Sequence, residues 1–180
     1  MKLLFMAFMA LFIVLQTAHA TSDDTVSTDV TREDVLKAQE KWAAGIVGIG
    51  KVYTEEGDYK QSATDLINAL YAYDISAVLF KPTLASADQF RETFDEALSY
   101  FVGGIIEEDK GFAIKPWTNV RFGAQQIITY PTAAKASGVY FFTPADSEEE
   151  VEVEFSFGYM KDTDGHLRIN LHHSSLPYQP

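Results

Sequence analysis

The second half of the sequence alternates apolar and polar residues with a period of two, and this alternation limits the folds open to the chain. It is clearest from 151 to 157, where valine or phenylalanine alternates with glutamate or serine. Successive side chains of a β-strand point to opposite faces, so this segment predicts a strand with one buried and one solvated face. Similar alternation over 120–130, 139–142 and 166–175 predicts further strands, and Asp164-Gly165 is typical of a hairpin turn before the last one.

The alternation also predicts which side chains face the core. The residues of the first strand that share one face are Val120, Phe122, Ala124, Ile128 and Tyr130. The residues of the last strand that share an apolar face are Leu167, Ile169 and Leu171. Continuing that face by two and four residues predicts that His173 and Ser175 point towards the core, with a strand end that frays into solvent as the alternative. His172 and Ser174 are then predicted on the opposite face.

Three segments before the strands place apolar residues on one helical stripe. The first is predicted at about 32–51, with Thr31 as its N-cap residue, and the second at about 59–73. The third is predicted to begin after Ser86 as N-cap. The residues on its apolar stripe are Phe90, Phe94, Ala97, Leu98 and Phe101.

Helices followed by antiparallel strands predict an α+β fold. We expect three N-terminal helices packed on a curved antiparallel sheet, which together enclose a cone with one open end. Such a cone is a natural place for a small-molecule pocket.

The N-terminus has the features of a secretory signal. The positive residue Lys2 precedes an apolar run that ends at Leu15, and the small residues Ala18 and Ala20 form a cleavage site. The run is shorter than the roughly 20 residues that span a bilayer. Residues 1–20 are therefore predicted to be a signal peptide cut after Ala20, with an uncleaved anchor as the alternative.

The remainder divides into a short leader and one domain. Residues 21–31 are rich in Ser, Thr and Asp and predict a flexible lead-in, and residues 32–180 are predicted to form a single domain. A signal peptide on an acidic chain without cysteine predicts a periplasmic or secreted protein, with no membrane contact after cleavage.

Composition excludes several kinds of chemistry. The chain has 14 Lys and Arg against 26 Asp and Glu, a formal net charge of −12, which argues against nucleic acid and anionic lipid surfaces as partners. It has no cysteine, so disulfides, thiolate metal sites and cysteine nucleophiles are excluded.

Histidine is scarce after the predicted cleavage site. Only His166, His172 and His173 remain. His172 and His173 point to opposite faces of a strand, and His166 lies about 20 Å from His172 at ~3.3 Å per residue. These three residues cannot form a zinc site together, although a mixed site with carboxylates stays open.

Two hydroxyl residues are candidates for a polar spot in the pocket. Thr83 follows Pro82 in the loop before the third helix, and Tyr100 lies near the end of that helix. A buried tyrosine hydroxyl needs a hydrogen-bond partner. The simpler interpretation is that Thr83 caps a turn and Tyr100 is an ordinary core residue.

Several short motifs carry a family resemblance over about 32–178. They are Phe80-Lys81-Pro82-Thr83, Ser99-Tyr100-Phe101-Val102-Gly103-Gly104, Gly111-Phe112-Ala113 with Pro116-Trp117, and His172-His173-Ser174-Ser175 before Pro177-Tyr178. With these motifs the chain resembles the iota-class carbonic anhydrases, within the NTF2-like group that includes the calcium/calmodulin-dependent kinase II association domain. The His-His-Ser-Ser run is the most specific of them. Some members have three histidines there, whereas Leu171 precedes His172 in this chain.

The resemblance implies an enzyme that hydrates carbon dioxide reversibly to bicarbonate, a carbonate dehydratase. It implies a site without a cofactor, with zinc or manganese as alternatives, in which Thr83 and Tyr100 hold the attacking water. The serine of the terminal motif is Ser175 or Ser174, and the face argument favours Ser175. We hypothesise that His173 accepts or relays the proton.

The remaining expectations concern the substrate and the subunits. Ser174 and Phe101 are predicted to contact carbon dioxide or bicarbonate, and the resemblance implies a homodimer.

Two alternative functions stay open. One is an isomerase or cyclase, for which the acidic residues nearest the predicted pocket, Asp74 and Asp95, are expected to be exposed. The other is a non-catalytic association module.

Overall fold

Residues 29–180 are described by a computed structural model of the protein. The predicted signal peptide, 1–20, and most of the predicted lead-in, 21–31, lie outside the described residues. The elements are α1 (Arg32–Thr54), α2 (Tyr59–Leu70), β1 (Leu79–Lys81), α3 (Phe94–Val102), a 3₁₀ turn (Phe112–Ile114), β2 (Trp117–Tyr130), β3 (Ala133–Pro144), β4 (Val151–Lys161) and β5 (Leu167–Ser175).

Three helices pack on one open sheet, as predicted for an α+β fold. The strand order is β1-β5-β4-β3-β2, and neighbouring strands from β2 to β5 are antiparallel. The sheet is nevertheless mixed, because β1 pairs in parallel with β5. Sequence analysis did not predict β1, since a strand of three residues is too short for a periodic pattern.

The first two helices correspond to their predictions except at the C-termini. Thr31 and Asp34 form a capping box at the start of α1, which continues to Thr54. Helix α2 ends at Leu70 rather than Tyr73 because Tyr71 is extended and forms an isolated parallel bridge to Ile169 of β5.

The predicted start of the third helix is wrong. Residues 86–93 are not helical, and α3 begins after Thr93, whose side chain forms a capping box with Glu96. The side chain of Ser86 instead donates to Glu108 at 2.7 Å. The stripe that suggested an earlier start includes Phe90, which is exposed.

The core is centred on the indole ring of Trp42, on α1. Its ring makes edge contacts with rings from four strands, which belong to Phe122, Tyr140, Phe142, Phe157 and His172. Val30 is also buried and donates its N–H to Pro131, so the end of the predicted lead-in belongs to the folded domain.

A β-bulge in β2 changes the face of the residues that follow it. Between Phe122 and Gln125 this strand has one residue more than its partner β3. Gln125 therefore points to the helices, where its side chain bonds to Gln39 of α1. Ile128 and Tyr130, predicted on the core face, are exposed.

A second bulge, in β5, has a larger effect on the candidate site. Tyr159 of β4 pairs with Ile169 and Gly158 pairs with Leu171, so Asn170 is an extra residue. Gly158 accommodates the bulge, because a Cβ there would lie 2.9 Å from the Cβ of Leu171 and 3.0 Å from Oδ1 of Asn170.

The bulge reverses the predicted orientation of the strand end. His172 and Ser174 are each 3% exposed and face the helices, whereas the side chain of His173 is exposed on the outer face of the sheet. Ser175 is half-buried and donates to Glu154. The prediction that His173 and Ser175 point towards the core is therefore wrong.

His172 is a neutral member of the core. Its ring stacks on Phe80 at 4.7 Å between ring centroids and lies 4.3 Å from the ring of Phe157. Burial among these rings, with a smaller electrostatic contribution from His173, lowers the pKa of His172 to about 3.

No helix within residues 29–180 is both long enough and apolar enough to span a lipid bilayer.

Acid should destabilise the fold through His172. The pKa is about 6.5 in the unfolded chain and about 3 when folded, so the unfolded state binds the extra proton as the pH falls below 6.5. We expect about 2 to 3 kcal/mol of unfolding free energy to be lost between pH 7 and pH 4.5 through this group.

Urea unfolding at several pH values measures this loss. The control is His172→Asn, which has no imidazole to protonate and should lose less stability over the same range. An equal pH dependence in the two proteins would contradict the assignment.

Candidate active site

A cavity of about 380 Å³ opens between α3, the 108–117 segment and the sheet. Its lining combines hydroxyl groups, aromatic rings and aliphatic side chains with charged residues at 108–110 and 115, and includes Thr83, Tyr100, Phe112, Trp117, Phe142 and Val153. An apolar cavity with a few convergent polar groups is the usual form of a small-molecule site.

Three hydroxyl groups meet at Thr83, which lines this cavity. Thr83 Oγ1 donates to Ser174 Oγ at 2.8 Å. Burial raises the pKa of the Tyr140 hydroxyl, and hydrogen bonds with Ser174 and Thr83 offset part of that rise. The hydroxyl cluster of Thr83, Ser174 and Tyr140 therefore stays protonated at neutral pH, and its members can orient a water molecule.

The pairing of β1 with β5 brings this cluster together. Lys81 is in register with His173, so the chain that leaves β1 runs beside the end of β5. Pro82 then follows and restricts the backbone before Thr83. Ser174 points to the same side because of the bulge at Asn170.

Tyr100 supplies a further hydroxyl from α3. Its ring is 5% exposed, stacks on Phe112 at 5.5 Å and contacts Phe80 edge-on. Burial raises the pKa of Tyr100, while a hydrogen bond from the backbone of Leu84 lowers it in part. The phenol therefore remains a proton donor at neutral pH.

Glu108 anchors the loop that follows Thr83. Its carboxylate accepts hydrogen bonds from the backbone N–H groups of Ser86, Ala87 and Asp88 and from the Ser86 hydroxyl. These hydrogen bonds lower the pKa of Glu108 to about 2. The loop is thus held in place by a carboxylate from the opposite wall of the cavity.

A buried ion pair stands behind this loop. Arg91 is 0% exposed and its Nη2 lies 2.6 Å from Oδ1 of Asp109. Nη1 of Arg91 donates to the carbonyl oxygens of Asp88 and Phe90, and the guanidinium lies 5.9 Å from the centroid of the Tyr100 ring. The pair therefore supports both the loop and Tyr100.

The structure brings together only some of the predicted site residues. Thr83 and Tyr100 line the cavity and Ser174 is hydrogen-bonded to Thr83, whereas His173 and Ser175 belong to the other side of the sheet. Phe101 is fully buried and stacks on Phe80 in the core. The catalytic and substrate-binding roles of these residues stay predictions.

Sequence analysis missed four residues at or behind the cavity, which are Tyr140, Glu108, Arg91 and Asp109. Asp74 and Asp95 are exposed, as predicted, but they are not the acidic residues nearest the pocket, because Glu108 and Asp109 line it. One sequence signal could have shown that 86–92, which includes Arg91, is a loop. This signal is the capping box of Thr93 and Glu96, which marks the start of the third helix.

A metal-ligating cluster does not occur in the described part of the chain. Residues 29–180 contain no group of three or more histidine, aspartate or glutamate side chains placed to hold an ion. The polar groups at the cavity suit hydrogen bonding to a small oxygen-containing molecule.

Comparison with known proteins gives consistent matches. The family described as metal-independent carbonic anhydrase matches residues 33–176. A protein of Nostoc sp. (strain PCC 7120) named metal-independent carbonic anhydrase is 36% identical, and the alignment covers 93% of this chain and 89% of that protein.

Solved structures agree in fold. The crystal structure of a cyanobacterial iota-carbonic anhydrase complexed with bicarbonate has a TM-score of 0.82 and 36% identity, over 86% of this chain and 97% of that chain. An NTF2-like protein of unknown function from Pseudomonas putida KT2440 has a TM-score of 0.54 at 13% identity, over 82% and 87% of the two chains, which shows the fold alone.

The NTF2-like fold and the family resemblance predicted from the sequence motifs are thereby confirmed. Because the match spans nearly all of the described residues, the chain belongs to the metal-independent carbonic anhydrase family.

Proposed function

We propose that this protein catalyses the reversible hydration of carbon dioxide to bicarbonate in the cavity beside Thr83, without a resident metal. The observation that carries the proposal is the hydroxyl cluster of Thr83, Ser174 and Tyr140 beside a largely apolar cavity that Thr83 and Tyr100 line. The family membership and the bicarbonate complex of the cyanobacterial relative support the same chemistry.

The hydroxyl groups orient the reactants. Thr83 and Ser174 hold a water molecule through hydrogen bonds, and the apolar wall of Phe142 and Val153 accommodates carbon dioxide. This arrangement accelerates the reaction by proximity and orientation. The water oxygen bonds to the carbon atom, one C=O π pair moves to its oxygen, and the water releases a proton.

Tyr100 stabilises the charge that develops in this step. Negative charge grows on a carbon dioxide oxygen, and a phenol donor in a cavity of low polarity stabilises it more strongly than water would. Because burial raises the pKa of Tyr100, the donor keeps its proton while the charge develops.

The proton leaves to solvent or buffer. The predicted proton acceptor, His173, does not fit the geometry, because its side chain is on the outer face of the sheet, and the buried His172 has a pKa of about 3. Neither imidazole can take the proton directly from a water bound to Thr83 at neutral pH.

Loss of single hydroxyl groups should lower activity. We expect Tyr100→Phe to reduce kcat/KM about 100-fold, as for the loss of one oxyanion donor, and Thr83→Val and Ser174→Ala to reduce it at least about tenfold. Stopped-flow hydration of carbon dioxide by the mature protein, with and without prior chelation, measures these changes.

The matched control is Thr54→Val, which removes a hydroxyl that bonds within α1 to Gly50 at 2.9 Å. It should keep full activity, and chelation should leave the wild-type rate unchanged. Full activity in Tyr100→Phe would reject the mechanism, and an inactive wild-type protein in both conditions would reject the function.

We also propose a homodimer formed through the outer face of the sheet. The helices cover one face, and the outer face carries an open groove of about 830 Å³ whose lining includes Ser137, Glu154, Ser156 and His173. A two-fold contact would place this groove against its own copy. Both acidic and basic groups are present in it, so the contact can be self-complementary.

A charge in the groove should separate the subunits. Ser156→Glu would place two added carboxylates near each other across the two-fold axis, and we expect a monomer by light scattering. Ala69→Glu adds the same charge at an exposed position of α2 and should leave the dimer intact. A wild-type monomer at micromolar concentration would contradict the proposal.

Export is the last part of the proposed function. Residues 1–20 have the charge, apolar run and small residues of a cleavable signal, which supports a periplasmic or secreted location.

Expression with residues 1–20 present should therefore yield an exported protein whose first residue is Thr21, as N-terminal sequencing would show. An Ala20→Arg variant should block the cut by replacing the small residue that the peptidase requires. An intact N-terminus on the wild-type protein would support the uncleaved anchor instead.

A further inference from the structure

His172, on the same strand as Ser174, carries a buried polar atom that the proposed mechanism does not use. The ring lies two residues before Ser174, on the same face of β5, and is packed between Phe80 and Phe157. Its Nε2 atom is buried and has no hydrogen-bond partner among residues 29–180. A buried polar atom without a partner destabilises a fold, so its retention calls for a physical reason.

A chain of hydrogen bonds sets the tautomer of this ring. Trp42 Nε1, which can only donate, lies 3.0 Å from the Tyr71 hydroxyl oxygen. The same hydroxyl lies 2.8 Å from Nδ1 of His172. Since the oxygen of Tyr71 already accepts from Trp42, its own proton is free to donate to Nδ1.

The opposite tautomer satisfies fewer groups. If Nδ1 carried the proton, Tyr71 would receive two donors and its own proton would have no acceptor among the described residues. Burial raises the pKa of Tyr71 and lowers that of His172, so both groups stay neutral. Nδ1 therefore accepts, and the ring proton lies on Nε2.

We propose that His172 is a neutral hydrogen-bond donor of the active site, whose Nε2–H binds an oxygen atom of bicarbonate or of the attacking water beside Ser174. Trp42 and Tyr71 are the positioning residues that fix this donor. The proposal rests on the proposed hydration of carbon dioxide.

The spacing suits a small oxyanion. Residues two apart on a strand are separated by about 7 Å, which is comparable with the span of one bicarbonate ion hydrogen-bonded at both ends. A neutral donor binds the anionic product without the charge of an imidazolium, so the product can leave easily. The uncharged state of His172 thus has a function as well as a structural cause.

Nitrogen NMR of the mature protein labelled with ¹⁵N-histidine tests the assignment directly. We expect His172 to show a protonated Nε2 and an accepting Nδ1 from pH 8 to pH 5, and its Nε2–H resonance to shift on addition of bicarbonate. A protonated Nδ1, an imidazolium, or an Nε2–H that saturating bicarbonate does not shift would each overturn the proposal.

Two variants test separately the Nε2–H donor of His172 and the Tyr71 hydroxyl that positions it. His172→Asn keeps an oxygen near the Nδ1 position for Tyr71 but removes the Nε2 donor. We expect about a tenfold lower kcat/KM in a protein that still folds, with a lower melting temperature because the ring contacts with Phe80 and Phe157 are lost. Wild-type kcat/KM in a folded His172→Asn protein would overturn the proposal.

Tyr71→Phe leaves the His172 ring in place but removes the hydroxyl that fixes its tautomer. We expect a population with Nδ1 protonated, together with a lower kcat/KM. Tyr73→Phe is the matched control, because the Tyr73 hydroxyl bonds to the backbone oxygen of Arg91 at 2.8 Å and not to His172. It should leave the His172 nitrogen resonances unchanged, and an unchanged tautomer in Tyr71→Phe would contradict the role of Tyr71.

The NMR spectra test the His172 donor and the hydration assay tests the proposed function, so either can be rejected without the other. Active wild-type protein with an unshifted Nε2–H would reject the donor and leave the proposed function standing. Inactive protein with a shifted Nε2–H would reject the function and leave an anion-binding histidine.

Discussion

The candidate site depends on one extra residue in the last strand. Asn170 has no partner on β4, and this bulge turns His172 and Ser174 towards the helices. Ser174 then reaches Thr83, and His172 reaches Tyr71. The bulge itself requires Gly158 on the neighbouring strand, because a Cβ there would meet both Leu171 and Asn170. A backbone irregularity, held by a glycine, therefore decides which side chains can take part in chemistry.

The candidate active site and the hydrophobic core share their residues. Phe80 stacks on His172 and contacts Tyr100, and Trp42 donates to the hydroxyl that holds His172. Low polarity raises the pKa of the tyrosines and lowers that of the histidine, so Tyr100, Tyr140 and His172 are neutral at pH 7. Such a site binds through oriented dipoles, and its precision comes from the packing around it.

Much of the fold follows from local sequence patterns. Apolar stripes and caps located α1 and α2, alternation located β2 to β5, and Gly165 adopts the positive φ expected of the Asp164-Gly165 turn. The side-chain orientation at the end of β5 could not be predicted from the sequence. A bulge arises from pairing with another strand and is not visible in a period-two pattern of residues. The loop at 86–92 was missed for a similar reason, since Glu108, distant in sequence, supplies its hydrogen bonds.

The end of β5 has two consecutive histidines followed by two consecutive serines, His172-His173-Ser174-Ser175. Each face of its end carries one histidine and one serine in the same order, so a slip of one residue exchanges one His–Ser pair for an equivalent pair. Residue chemistry alone therefore cannot distinguish the two registers, and only the packing around Gly158 does. A strand end with this motif therefore presents one imidazole and one hydroxyl to the helices with or without the bulge.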